Sequence, residues 1–178
     1  MRCNAKTQTP VYEDGTTRDQ LHRSRHHARR LADLVSGDTE YDVVAGAAGS
    51  ILALRAPYRL HPSGELRELV RRHADQLVAA ARPFPPGLGW LPESLVGAGL
   101  AKRPLAGLAH GQAGIAWALL EAATITEDER YRSTACEALA YERALFDPEV
   151  GNWRDMRNWT GDRTARKSHG VTARRGLG

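Results

Sequence analysis

Cysteine is nearly missing from this chain: Cys3 and Cys136 are the only two in 178 residues. They lie far apart and follow no ligand spacing. This excludes a disulfide framework and a Cys-x-x-Cys metal motif, and it points to a reducing compartment, the cytoplasm. Lysine is almost as scarce. Of 25 basic residues only Lys6, Lys102 and Lys167 are Lys. Such arginine dominance beside abundant Ala and Gly reflects biased codon composition, so a formal charge of +4 and a pI of about 9.4 carry no argument for nucleic acid. No apolar run is long enough to span a bilayer, and the polar N-terminus lacks the apolar stretch of a signal peptide, so no membrane partner is expected. Period-two alternation of useful length is absent, which leaves helices as the structural material. Apolar content of 42% permits one modest core.

What is present centres on His110-Gly-Gln-Ala-Gly-Ile-Ala-Trp-Ala-Leu-Leu-Glu-Ala-Ala-Thr124. Its apolar residues are nearly continuous, which predicts a helix buried on most sides. Gly111 and Gly114 share one face of its first turn and allow another backbone to come close. A histidine at the mouth of such a helix either caps it or serves as a site residue. An earlier copy of the pattern favours the second reading. Asp42-Val-Val-Ala-Gly46-Ala-Ala-Gly49-Ser-Ile-Leu-Ala-Leu54 again sets a polar residue before Gly-x-x-Gly and an apolar run. The two copies lie 65 residues apart, Gly46 to Gly111, a spacing that fits helical hairpins repeated along the chain. His169-Gly170 is a weak third echo.

In chain order, residues 1–15 read as a flexible tail. Thr17 to Val35 is predicted helical, with a thin stripe of Leu21, Ala28, Leu31, Ala32 and Val35 opposite a cluster of Arg and His. That cluster reads as a solvated face, since no aromatic residues accompany it for base stacking. His22 and His26 lack partners for a metal motif. Pro57 and Pro62-Ser-Gly64 break the chain. Glu65 to Ala81 is amphipathic through Leu66, Leu69, Val70, Leu77 and Val78. Residues 82–90, with three prolines and two glycines, read as an irregular but ordered loop that buries Phe84, Leu88 and Trp90. Thr126 and Glu129 read as a capping box opening a helix that runs to about Phe146 on Ala135, Ala138, Leu139 and Leu145. Residues 16–159 form the domain. Residues 160–178 lose the helical period and read as an irregular tail.

Three blocks together resemble the lanthionine synthetase C-like family. They are Tyr41-Asp-Val-Val-Ala-Gly-Ala-Ala-Gly49, Pro104-Leu-Ala-Gly-Leu-Ala-His-Gly-Gln-Ala-Gly-Ile-Ala-Trp-Ala-Leu-Leu120 and Ala138-Leu-Ala-Tyr-Glu-Arg-Ala-Leu-Phe-Asp-Pro-Glu-Val-Gly-Asn-Trp153. The nearest likeness is to the C-terminal cyclase domain of class II (LanM-type) lanthipeptide synthetases, over residues 20 to about 158. The resemblance implies an all-α fold, part of an α/α toroid of helical hairpins whose inner helices begin at the glycine motifs. It implies a precursor peptide as partner, and addition of Cys thiols to dehydroalanine or dehydrobutyrine to form thioether rings. In the family zinc lowers the pKa of the attacking thiol, and an acid protonates the enolate that results. His110 matches the family's active-site histidine and Asp42 the aspartate before its first glycine motif. Both are expected to face a common interior without needing to touch.

The family binds zinc through two Cys and one His in its later third. The nearest stretch here is Lys167-Ser-His-Gly170, with Ser where the family has Cys, and neither Cys3 nor Cys136 falls in a matching place. A hydroxyl is a poor zinc ligand. The expectation is therefore a chain covering the N-terminal half of a cyclase domain, with no metal ligands of its own, no bound zinc and no cyclase activity alone. Its incomplete ring is expected to favour self-association. The alternative is a helical peptide-binding module without catalysis.

Overall fold

The computed structural model describes residues 40–158. The expected N-terminal tail, the Thr17–Val35 helix, Cys3, and the C-terminal tail with His169 lie outside the described residues. In chain order come α1 (Ala47–Leu60), α2 (Gly64–Ala80), the strands β1 (Arg82–Phe84) and β2 (Gly87–Gly89), α3 (Glu93–Gly97), α4 (Gln112–Thr126), α5 (Glu129–Ala144), and the short strands β3 (Phe146–Asp147) and β4 (Asn152–Trp153). The described residues are all-α apart from two antiparallel hairpins. Short turns make α1–α2 and α4–α5 antiparallel helical pairs.

Helix α4 is the centre of the packing and touches α1, α2 and α5. Ten of its fifteen residues are buried, among them Ile115, Ala116, Ala118, Leu119, Ala122 and Ala123. Its many alanines let neighbouring helices approach on several sides, and burying Ile115 and Leu119 contributes roughly 1.5–3 kcal/mol each. Its partner α1 buries Ala47, Ala48, Ser50, Ile51 and Leu54 and keeps an exposed side. Helix α2 faces the core with Leu69, Val70, His73, Ala74 and Leu77, while Leu66 and Val78 sit at its edge.

Several expectations need correction. Helix α1 passes through Pro57 to Leu60. The proline sits in its last turn, and its carbonyl accepts the closing bond from His61 N at 2.9 Å. Thr126 does not open α5; it ends α4, with its hydroxyl on the Ala122 carbonyl at 2.7 Å. Glu127 reverses the chain in the left-handed region, and Asp128 caps α5 by accepting from Arg130 N at 3.0 Å. The Arg130 guanidinium also grips that carboxylate and holds it below the usual range. Residues 82–89 pair as a hairpin, Arg82 with Gly89 and Phe84 with Gly87, around a cis Pro85–Pro86 bond. The prolines fall at the turn and on the strand edge, where a missing N–H is tolerated. Trp90 beyond it is buried and donates its indole N–H to the Leu77 carbonyl at 2.7 Å, whereas Phe84 and Leu88 are only half-buried.

Candidate active site

The two glycine motifs build the same local structure. Gly46 and Gly111 are the N-cap residues of α1 and α4, with φ, ψ of −122°, −168° and −121°, −175°. Neither cap has a side-chain hydrogen bond, so the helices' orphan N–H groups must find other acceptors. They find the preceding chain, which folds back over each helix end. Ala47 N donates to the Glu40 carbonyl at 3.3 Å, and Gln112 N to that of Leu105 at 3.1 Å. Gly49 N donates to the Asp42 carbonyl at 3.1 Å, and Gly114 N to that of Gly107 at 3.4 Å. Each pair is offset by the 65 residues seen in the sequence. The close fold-back explains the glycines. A Cβ at Gly49 would overlap the Val43 carbonyl oxygen, and one at Gly114 would overlap that of Leu108.

The fold-back loops carry the polar residues. In the first, Asp42 Oδ1 accepts from Val44 N at 2.9 Å and Ala45 N at 2.8 Å, which fixes a tight turn and leaves Oδ2 free to reach across. In the second, His110 precedes the N-cap and points out of the helix end. The loops meet edge to edge. Val43 N donates to the Ala109 carbonyl at 3.1 Å, and one residue further His110 Nδ1 lies 2.6 Å from Asp42 Oδ2. The two side chains therefore touch directly. His110 does not cap α4. The 65-residue offset pairs Asp42 with Gly107 rather than with His110, so the two side chains come from different points of their loops.

Asp42 is buried, with a side chain 11% exposed, while that of His110 is 57% exposed. With the carboxylate receiving Nδ1–H, the other ring nitrogen, Nε2, stays outside the pair. A buried carboxylate behind an accessible imidazole fixes the tautomer and orientation of the ring, as a proton-transfer group needs. Val44 and Leu108, two residues along the chain from Asp42 and His110, are exposed apolar side chains.

Three further residues hold the second loop and escaped the reading of the sequence. Gln112, fully buried, accepts from Trp90 N at 3.0 Å and donates to the carbonyls of Trp90 and Leu105 at 3.4 and 3.3 Å. Tyr141 donates its hydroxyl to the Pro104 carbonyl at 3.0 Å. Glu142, 5% exposed, accepts from Gly107 N at 2.9 Å. Burial pushes the Glu142 carboxyl above its usual range, against the pull of the Gly107 and Ala113 amides. A signal for Glu142 was present: positions 135, 138, 142 and 145 share one helical face, and the only charged residue on it is Glu142.

The family described as lanthionine synthetase C-like protein matches residues 11–172. This chain belongs to the lanthionine synthetase C-like family. No curated protein and no solved structure matches it. The family match runs past residue 158 and takes in His169-Gly170, within the segment whose composition departs from the helical pattern. Lanthionine synthetase C-like proteins generally bind zinc. Among the described residues, no group of three or more His, Cys, Asp or Glu side chains could hold a metal ion. The donors at the helix ends are one imidazole and one carboxylate bonded to each other, and Cys136 is exposed on α5. This donor set does not fit a thiolate zinc site. Among the described residues no helix is long and apolar enough to cross a membrane.

Proposed function

We infer that this chain is a lanthionine cyclase domain of the class II type in which Asp42 and His110 form the acid–base pair. The reaction is addition of a Cys thiol to dehydroalanine or dehydrobutyrine in a precursor peptide. The thiol gives up its proton to solvent, and the thiolate sulfur forms a bond to the β carbon. The alkene electrons move onto the α carbon and its carbonyl as an enolate, and a proton must arrive at the α carbon, after which solvent reprotonates the donor. His110 Nε2–H delivers that proton, and Asp42 holds the imidazolium that donates it. The observation that carries this reading is the 2.6 Å contact between His110 Nδ1 and the buried Asp42 carboxylate, which leaves Nε2 accessible. The exposed Val44 and Leu108, carried on the same two loops, offer apolar surface to a peptide.

Activating the thiol is a separate task from protonating the enolate, so the two can be tested apart. With zinc and a dehydrated peptide carrying an ordinary Cys, the chain alone is expected to give no ring formation above the uncatalysed rate. An aryl thiol is already ionised at neutral pH and needs only the proton donor. Its addition to a dehydroalanine peptide in heavy water should be accelerated by the chain and place deuterium on one face of the α carbon. His110→Ala should return the rate and the facial mixture of the uncatalysed reaction. Equal rates and equal stereochemistry with and without His110 would overturn the assignment.

A second reading, a helical module that binds a peptide or a second copy without catalysis, is favoured by the exposed Val96, Leu100, Val150 and Trp153. It predicts concentration-dependent light scattering and peptide binding unaffected by His110→Ala.

A further inference from the structure

The second loop lacks the device that fixes the first. In the first loop the Asp42 side chain holds its own turn through Val44 N and Ala45 N. The counterpart position is Gly107, with φ +106°, a left-handed conformation that a side chain rarely adopts. This loop carries no side chain there to bind its own amides. The missing acceptor comes from another element. Glu142 reaches from α5, buried, and takes the Gly107 N–H with Oε1 at 2.9 Å. Its neighbour Tyr141 holds the Pro104 carbonyl three residues upstream. One turn of α5 therefore grips both ends of residues 104–107, and His110 follows three residues later.

We propose that Glu142 is a positioning residue for His110: by clamping the Gly107 amide from α5 it fixes the loop so that His110 Nδ1 stays on Asp42 Oδ2. This rests on the reading of Asp42 and His110 as an acid–base pair. Glu142 touches neither His110 nor any reacting atom. It acts through the backbone of residues 107–110, in concert with the bond between Val43 N and the Ala109 carbonyl. What the clamp needs is an acceptor oxygen at Oε1, which the side chain offers in either protonation state. The clamp makes the orientation of the imidazole depend on the packing of α5 against α4.

Two NMR signals separate this role from general stability. The first is the downfield His110 Nδ1 proton, expected in the native protein and lost in Asp42→Asn. The second is the Gly107 amide, expected to exchange slowly. Glu142→Met keeps the volume and removes the acceptor. It should weaken or broaden the Nδ1 proton and speed Gly107 exchange at least about tenfold, with helix content by circular dichroism unchanged. Glu142→Gln keeps an acceptor oxygen and should retain both signals, as should Ser63→Ala, which weakens the cap of α2. An Nδ1 proton and Gly107 exchange unchanged in a folded Glu142→Met protein would overturn the proposal. Fast Gly107 exchange in the unmutated protein would overturn it equally, even if the Met variant failed to fold. Absence of the Nδ1 proton from the unmutated protein would instead sink the pairing of His110 with Asp42, while Gly107 exchange would still decide the clamp.

Discussion

The Gly46 and Gly111 units are the same backbone put to two uses. Both cap a helix with an extended glycine, and both satisfy the helix end with carbonyls of the chain folded back above it. Their side chains differ at matched positions. The first unit has Asp42 where the second has Gly107, and Ala47 where the second has Gln112. The first is self-contained, its turn held by Asp42. The second is held from outside, by Gln112 against Trp90, by Tyr141 and by Glu142. A repeat can thus keep its fold while its polar residues divide the work: one loop supplies the buried carboxylate and the other the exposed imidazole.

The largest expected effects come from breaking what the units share. Gly49→Leu and Gly114→Leu should each destabilise by about 1–3 kcal/mol or more, since the fold-back chain leaves no room for a side chain. Gly114→Leu should be the worse, because a Cβ there also meets Val43 Cγ2 at 2.7 Å. Thermal or urea unfolding decides it. A neutral result at either site would mean that the fold-back is not tight.

Next come the differences. Gln112→Ala makes the second unit resemble the first at that position. It strips the buried Trp90 N–H of its acceptor and should cost about 1–3 kcal/mol in urea unfolding. A neutral outcome would show that the second unit is as self-contained as the first.

A smaller effect depends on pH. Glu142 has its folded-state pKa raised by burial, so between its unfolded value of about 4.3 and the higher folded value the native state holds more protons than the unfolded chain. Stability contributed by the protonated carboxyl is full below that window and declines as pH rises through it. Glu142→Gln does not titrate, so the urea midpoint of the unmutated protein should fall relative to the Gln variant as pH is raised from about 4 to 7. Parallel curves would deny the shift.

How much of this was legible in the sequence follows the physics of each signal. The glycine pairs and the apolar runs after them announced α1 and α4, and the near-continuous apolar run of α4 announced that it is buried on most sides. The contact between Asp42 and His110 was not legible. Each residue stands out alone, but the repeat aligns Asp42 with Gly107, and only the two loops meeting at Val43 and Ala109 bring the pair together. Glu142 was hidden in a helix read for its apolar stripe, where a lone acid on the core face was the overlooked sign. The hairpin at residues 82–89 was hidden because its prolines read only as breakers. Asp128 was passed over as a cap because Thr126 and Glu129 fitted a capping-box pattern. There the apolar period of α4 extended two residues further than the cap signal suggested.

The smallest effect is a control outside both units. Gly64 opens α2 with nothing near its missing Cβ. Gly64→Ala should stabilise by about 0.4–1 kcal/mol through the unfolded chain. Destabilisation there would show that glycine is required for reasons other than the close approach seen at Gly49 and Gly114.

The meeting of the two units at Asp42 and His110 is tested most directly by a double-mutant cycle on stability, with Asp42→Ala, His110→Ala and the pair. Asp42→Ala alone also releases the Val44 and Ala45 amides, and the cycle removes that contribution. The expected coupling is about 0.5–2 kcal/mol, smaller in high salt because His110 is exposed. Strictly additive losses would contradict the contact on which the acid–base reading stands.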